Sequence, residues 1–200
     1  MHLIFLRKSF RSPIPCGGTD VGPLFMAVQL NYTDSETLYM DVSQTCMSIA
    51  QFRATMRISL KIVWVTEWIE SIPRIGLGPF DFVRCTGVLH YLKKPQKGLN
   101  IVNDAQSDHG GASLMVHGKY GRTGRTGVYQ IQYLLHILNH NDQAINRELK
   151  NAKKLLEILQ ESHGFNHFST SDHQTMGDIG IYDLLLHKRD VAYSLFDLYE

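Results

Sequence analysis

The sequence predicts an α/β domain built on a parallel sheet with flanking helices, followed by a helical segment. Three observations carry this reading. Between Thr37 and Lys119, short β-rich runs alternate with helical stretches at the spacing of βαβ units. Hydrophobic residues make up 44% of the 200 residues and charged residues 20%, enough apolar material for the core of one domain with an appended segment. After Lys119 the strand pattern stops and two amphipathic helical patterns take over.

The elements follow in order. Thr37-Leu-Tyr-Met-Asp41 reads as a strand ending in an acid, and residues 44–56 place Met47, Ala50 and Ala54 at helical spacing behind Ser43, a suitable N-cap. Lys61-Ile-Val-Trp-Val65 is the next strand. Phe80-Asp-Phe-Val-Arg-Cys85 is another, introduced by Gly76, Gly78 and Pro79. Pro95 suits the first turn of a helix to Ala105 that buries Leu99, Val102 and Ala105. Ala112-Ser-Leu-Met-Val-His117 is then a strand after a Gly110-Gly111 turn. Beyond it lies a basic, Gly-rich loop, Tyr120-Gly-Arg-Thr-Gly-Arg-Thr-Gly127, which holds Gly-Arg-Thr twice. One following helix carries Ile131, Leu134, Leu135 and Leu138 on a face; the other carries Ile145, Leu149, Ala152, Leu156 and Leu159. Residues 162–180 read as a polar loop. The chain stops on an apolar and aromatic run, Tyr193 to Tyr199, and the expectation is a fold truncated at that end.

Composition excludes several classes. Twenty Lys and Arg against 19 Asp and Glu give a net charge of +1, which shows no footprint for nucleic acid or an anionic membrane, although a local basic patch is compatible with that balance. No run approaches the roughly 18 apolar residues of a membrane span. The three cysteines, Cys16, Cys46 and Cys85, form neither a disulfide framework nor a CxxC site, so a reducing compartment is expected. At the N-terminus, Arg7, Lys8, Ser9, Arg11 and Ser12 precede the first acid, Asp20, a pattern shared with mitochondrial presequences. A ragged N-terminal end is the plainer reading, and the cytoplasm is the expected location.

Ligands of open parallel sheets bind beyond the carboxyl ends of the strands. Those ends are Asp41, Thr66-Glu67-Trp68, Cys85-Thr86-Gly87 and Gly118-Lys119. An acid in the position of Asp41 accepts hydrogen bonds from a ribose diol or, equally, caps the helix that follows it. Here a resemblance enters. The run Phe80-Asp-Phe-Val-Arg-Cys-Thr-Gly-Val-Leu-His-Tyr-Leu92 resembles the fourth-strand motif of class I S-adenosylmethionine-dependent methyltransferases. Trp68-Ile-Glu-Ser-Ile-Pro73 resembles the segment that cups adenine in that family, Asp41 falls at its ribose-binding acid, and Gly110-Gly-Ala-Ser-Leu-Met-Val116 resembles its fifth strand. The resemblance covers residues 14–119 and implies a Rossmann-like domain binding S-adenosyl-L-methionine. Residues 120–200, with Gly177-Asp-Ile-Gly-Ile-Tyr-Asp-Leu-Leu-Leu-His-Lys-Arg-Asp190, resemble the substrate-side region of one methyltransferase subgroup, which is followed in such enzymes by two further strands. No methyl acceptor and no oligomeric state follow from it.

One departure stands out. The family runs its first strand into a glycine-rich turn where missing side chains let the backbone approach the cofactor. This chain reads Pro13-Ile-Pro-Cys-Gly-Gly-Thr-Asp-Val-Gly22, with Asp20 at a glycine position and Pro13 and Pro15 in the strand, where proline removes ladder donors. Either the strand is short and starts late, or it is damaged.

By carry-over, the resemblance implies that Gly18 and Thr19 contact the methionine portion of the cofactor and Asp41 holds the ribose. Val42 would lie against the adenine, Trp68 and Ile69 would flank its edge, and Cys85 and Thr86 would lie near the sulfonium. Cys85 also fits a small buried residue and Thr86 a strand-end turn. His90 fits either a base near the acceptor or helix-start packing. His163, His167 and His173 lack the cysteine partners and tight spacing of a zinc site, so no metal is expected. Arg122 and Arg125 are compatible with steering an anionic acceptor or with a solvated loop. The reading is thus a methyltransferase acting on an unidentified acceptor. Its rivals are an inactive relative that binds a partner, and a nucleotide-dependent oxidoreductase, against which the glycine spacing argues.

Overall fold

A computed structural model of the chain describes residues 10–15, 17–18, 22–30, 33–57, 61–122, 127–139, 144–165 and 176–198. The chain divides into two compact units, Met1–Val116 and His117–Glu200.

The first unit alternates strands and helices: β1 (Arg11–Pro15), α1 (Gly22–Leu30), β2 (Glu36–Met40), α2 (Gln44–Thr55), β3 (Ile62–Val65), α3 (Ile72–Ile75), β4 (Phe80–Thr86), α4 (Pro95–Asp104) and β5 (Gln106–Met115). β1 pairs in parallel with β2, β2 with β3, and β4 with β5. β4 lies alongside β1, so the strand order is β3-β2-β1-β4-β5.

The two prolines explain a break in this sheet. The Glu36 N–H donates to the Phe10 carbonyl at 3.0 Å, while the Arg11 N–H donates to Asp81 Oδ2 at 2.9 Å. Successive residues of a strand bond to opposite neighbours. Phe10, Ser12 and Ile14 therefore serve β2, and Arg11, Pro13 and Pro15 face β4. Having no N–H, the prolines cannot extend a ladder to β4, and the hydrogen-bonded sheet divides there into three strands and two. The strand does not start late: it begins at Arg11, ahead of the prolines, and keeps its full register with β2, so the damage is confined to the side that faces β4.

Local signals act as read. Ser43 Oγ accepts from the Cys46 N–H at 3.2 Å and starts α2, Pro95 opens α4, and Gly76 ends α3 with φ +62°. One face of the sheet packs Tyr39, with Trp64 at 4.9 Å between ring centroids, beneath Met47 and Ala50 of α2. The other carries the larger core, including Leu38, Met40, Ile72, Phe80, Val83 and Val102. Each such side chain stabilises the fold by roughly 1.5–3 kcal/mol. β5 starts at Gln106, six residues before the expected Ala112. Gly110 and Gly111 lie inside the strand at a register shift: Phe80 pairs with Gln106 but Phe82 with Gly111. A Cβ on Gly110 would sit 2.8 Å from the Phe80 carbonyl oxygen, so this irregularity needs glycine. Within α4, Ile101 joins Val102 and Ala105 in the core, whereas Leu99 is only half-buried.

In the second unit, α5 (Lys119–Arg122) precedes α6 (Val128–Leu138), α7 (Ile145–Ile158) and α8 (Asp178–Ile181), which runs on into a wider turn, Tyr182–Leu186. Val128, Ile131, Leu135, Ala152, Phe165, Ile181 and Leu185 form its core. The expected faces are corrected: Leu134, Leu138 and Ile145 are exposed, because the inward stripe of α6 runs through Val128 instead. A polar network ties the unit together. His117 Nδ1 lies 2.7 Å from Asp190 Oδ1, and Gln132 Nε2 donates to Asp190 Oδ2 at 3.2 Å and to the Leu184 carbonyl at 3.0 Å. Near the end, the Ser194 N–H and hydroxyl both donate to Asp197 and hold its carboxyl below the usual carboxylate range.

Candidate functional site

The site is assembled at the carboxyl ends of the strands in the first unit. β1 leads into Gly17, whose N–H donates to the Met40 carbonyl at 3.0 Å, carrying the turn along the end of β2. A Cβ on Gly17 would lie 2.3 Å from Tyr39 Cε2, so only glycine passes over that ring. Gly18 follows with φ +55°, the left-handed region. The Tyr39 hydroxyl donates to the Gly18 carbonyl and locks the turn from below.

Asp41 is the centre of this end. Its side chain accepts from the Gly18 N–H through Oδ2 and from the Ser43 N–H through Oδ1, each at 2.8 Å. Its own N–H donates to the Val65 carbonyl at 3.2 Å, and the residue is only 6% exposed. One carboxylate thus joins the glycine turn to the start of α2, so the capping reading is realised in part. An ionised carboxylate offers about four lone-pair sites. Two are used by these bonds.

The neighbouring strand ends differ. Val42 and Trp68 expose apolar surface, 41% and 63% respectively. Ile69 is 1% exposed and packs in the main core, which corrects the expectation that its side chain flanks the adenine; the turn Ile69–Ser71 rotates it inward. Cys85 is likewise a core residue: burial pushes its thiol up to about 12, so it is no nucleophile at neutral pH. Thr86 is half-buried and its Oγ1 accepts from Arg84 Nε at 3.4 Å. Asp81, part of the fourth-strand motif, stands at the amino end of β4 and serves the Arg11 N–H. His90 is fully buried in the turn Leu89–Tyr91, edge-on to Tyr91 at 4.1 Å. His163 Nδ1 accepts from the Phe165 N–H at 3.2 Å. Thr19, Asp20, Arg125, His167 and His173, and the Arg122 side chain, lie outside the described residues.

Two features escape the sequence. Gly17 and Tyr39 form the floor of the turn, and the Arg84 guanidinium lies so close to Gly22 that a Cβ there would be 2.5 Å from Nη1. The doublet Gly17-Gly18 was a signal for the first; nothing in the sequence pairs Arg84 with the start of α1.

Together the strand order and the turn define the Rossmann-like fold of class I methyltransferases. No protein-family model matches the sequence. Among solved structures, PKMT2 from Rickettsia typhi in complex with AdoHcy is similar with a TM-score of 0.68 at 14% identity, over 96% of this chain and 38% of that one. A second structure of PKMT2 from Rickettsia typhi gives 0.63 at 14% identity, over 96% of this chain and 37% of that one. YcgJ from Bacillus subtilis gives 0.51 at 14% identity, over 64% of this chain and 54% of its own. The chain therefore spans less than two-fifths of the length of PKMT2. At such identities the likeness is one of fold.

Proposed function

We propose that the first unit binds S-adenosyl-L-methionine and that the chain takes part in methyl transfer to an acceptor still to be identified. The observation that carries this is Asp41, buried at the end of β2 and held by the Gly18 and Ser43 amides. The residues fit the group. The two lone-pair sites left on Asp41 match the two hydroxyls of a ribose, and Val42 and Trp68 supply apolar surface of the kind an adenine stacks on. The match in fold to a structure holding AdoHcy supports the same reading.

In this reading the cofactor, when bound, supplies a methyl group already activated for displacement. The chain's own work is alignment. Gly18 and Thr19 face the methionine portion, Asp41 fixes the ribose, and Val42 and Trp68 border the adenine. Ile69 and Cys85 contribute only their backbone, since both side chains are in the core. Thr86 is the one side chain of this set at the end of β4 with a hydroxyl to offer. Residues 120–200 serve the acceptor, a role supported by an open groove of about 650 Å3 in the second unit, bordered by Tyr129, Tyr133, His136, Glu148 and Asp190. Cys46 and Cys85 are both unbridged, in keeping with a cytoplasmic protein.

A second reading, an inactive relative acting as a binding partner, draws on the ladder lost at Pro13 and Pro15 beside the cofactor turn. Calorimetric titration with S-adenosylhomocysteine, with NADH as control, separates the two. Binding of the first alone supports the methyltransferase reading. A folded chain that binds neither favours the inactive relative.

A further inference from the structure

We propose that Tyr39 is a positioning residue of the cofactor site, steadying through Gly18 the carboxylate that grips the ribose. The proposal rests on the reading of the first unit as an S-adenosyl-L-methionine site and adds a residue to it. Tyr39 and Asp41 stand two apart at the end of β2, and residues two apart on an extended chain point to one face. Both reach Gly18. The Tyr39 hydroxyl donates to the Gly18 carbonyl, and the Gly18 N–H donates to Asp41 Oδ2 at 2.8 Å. One glycine is thus held at both of its polar groups by two residues of one strand end. It needs that hold, since at φ +55° and with no side chain nothing of its own restrains it. The Gly18 amide on Oδ2 and the Ser43 amide on Oδ1 fix the plane of the carboxylate, and with it the direction of the lone pairs left for a ribose.

Tyr39 is suited to that task because its ring is fixed. It is fully buried, packs against Trp64 at 4.9 Å between ring centroids, and lies beneath Met47 and Ala50 of α2. Gly17 crosses it so closely that any Cβ there would overlap the ring. A buried aromatic ring with a polar tip sets that tip at one point in space. Phenylalanine would fill the same volume; the hydroxyl adds the bond to the turn. Through it, the packing of α2 and β3 is carried to the loop that meets the ligand. Removing the hydroxyl should cost affinity more than stability. Gly18 is half-buried, so water can take the hydroxyl's place on its carbonyl and the fold survives. The ligand must then order the turn as it binds, and that ordering is subtracted from its affinity.

The test compares Tyr39→Phe with the wild type, both as the full chain, by calorimetric titration with S-adenosylhomocysteine, urea unfolding and amide hydrogen exchange. The expected variant binds about three- to tenfold more weakly and unfolds at a urea midpoint close to that of the wild type. Its Gly18 N–H exchanges faster while the amides of β2 stay protected. The exchange pattern separates positioning from packing, because a loosened core would speed β2 as well. Equal affinity in the two chains overturns the role of Tyr39 and leaves the cofactor reading standing. A folded wild type that binds no S-adenosylhomocysteine overturns both. A variant that does not fold, or whose β2 amides exchange as fast as Gly18, overturns the proposal alone, since Tyr39 would then be a packing residue.

Discussion

The carboxyl ends of β2 and β4 belong to neighbouring parts of one sheet and offer opposite chemistry. At β2 the chain ends in a carboxylate whose two oxygens hold the glycine turn and the start of a helix. At β4 it ends in Cys85, closed in the core with its thiol pushed up to about 12, and in Thr86. The first end is built to grip a polar ligand. The second carries no group that exchanges protons near neutral pH, and suits a reaction in which alignment does the chemistry. The difference teaches that recognition and reaction are separable here, and that changes at the two ends should have different signatures.

The largest expected effect is at the floor of the first end. Gly17→Val forces a side chain into the Tyr39 ring, and thermal or urea unfolding should show a loss of about 3 kcal/mol or more. An unchanged midpoint would mean the turn is held elsewhere. Next, Asp41→Ala should weaken S-adenosylhomocysteine binding by about 1.5–3 kcal/mol, roughly 10- to 150-fold, measured by calorimetry on a folded variant. The β4 end predicts resistance instead: Cys85 should not react with iodoacetamide in the native chain at pH 8, whereas Cys46, partly exposed, should. Because the folded state keeps the Cys85 proton to about 12, the thiol's contribution to stability is intact below the ordinary thiol range and declines as pH rises through it. A stability that rises from pH 9 to pH 11 would contradict that environment. The smallest effect concerns the seam between the two halves of the sheet. Pro13→Val restores an N–H facing β4 and should stabilise by about 0.5–1.5 kcal/mol, detectable as a higher urea midpoint.

Much of this architecture was legible in the sequence where a residue's local chemistry and its tertiary role coincide. Ser43 caps α2, Pro95 opens α4, and Asp41 stands at the end of β2 as its position implies. Reading failed where one residue type serves two purposes. Gly110 and Gly111 spell a turn but sit in β5, because the strand must admit extra residues beside Phe80. Pro13 and Pro15 suggest a broken strand, yet their missing N–H groups point only toward β4, and the pairing with β2 survives. The apolar face of α6 was shifted because leucines recur on both sides of that helix, whereas the face of α7 held at Leu149, Ala152, Leu156 and Leu159 and missed only at Ile145. At the site, the buried reading of Cys85 was open in the sequence, whereas nothing in it reveals that the Ile69 side chain turns inward. The lock of Tyr39 on the glycine turn is a contact between residues far apart in the chain, which periodicity does not report.

Cofactor binding turns on Asp41, and parallel calorimetric titrations of the wild type and Asp41→Ala with S-adenosylhomocysteine test that most directly. The prediction is saturable binding by the wild type, none of NADH, and at least a tenfold loss in the folded variant. Equal affinity in the two, or no heat from a folded wild-type chain, would contradict it.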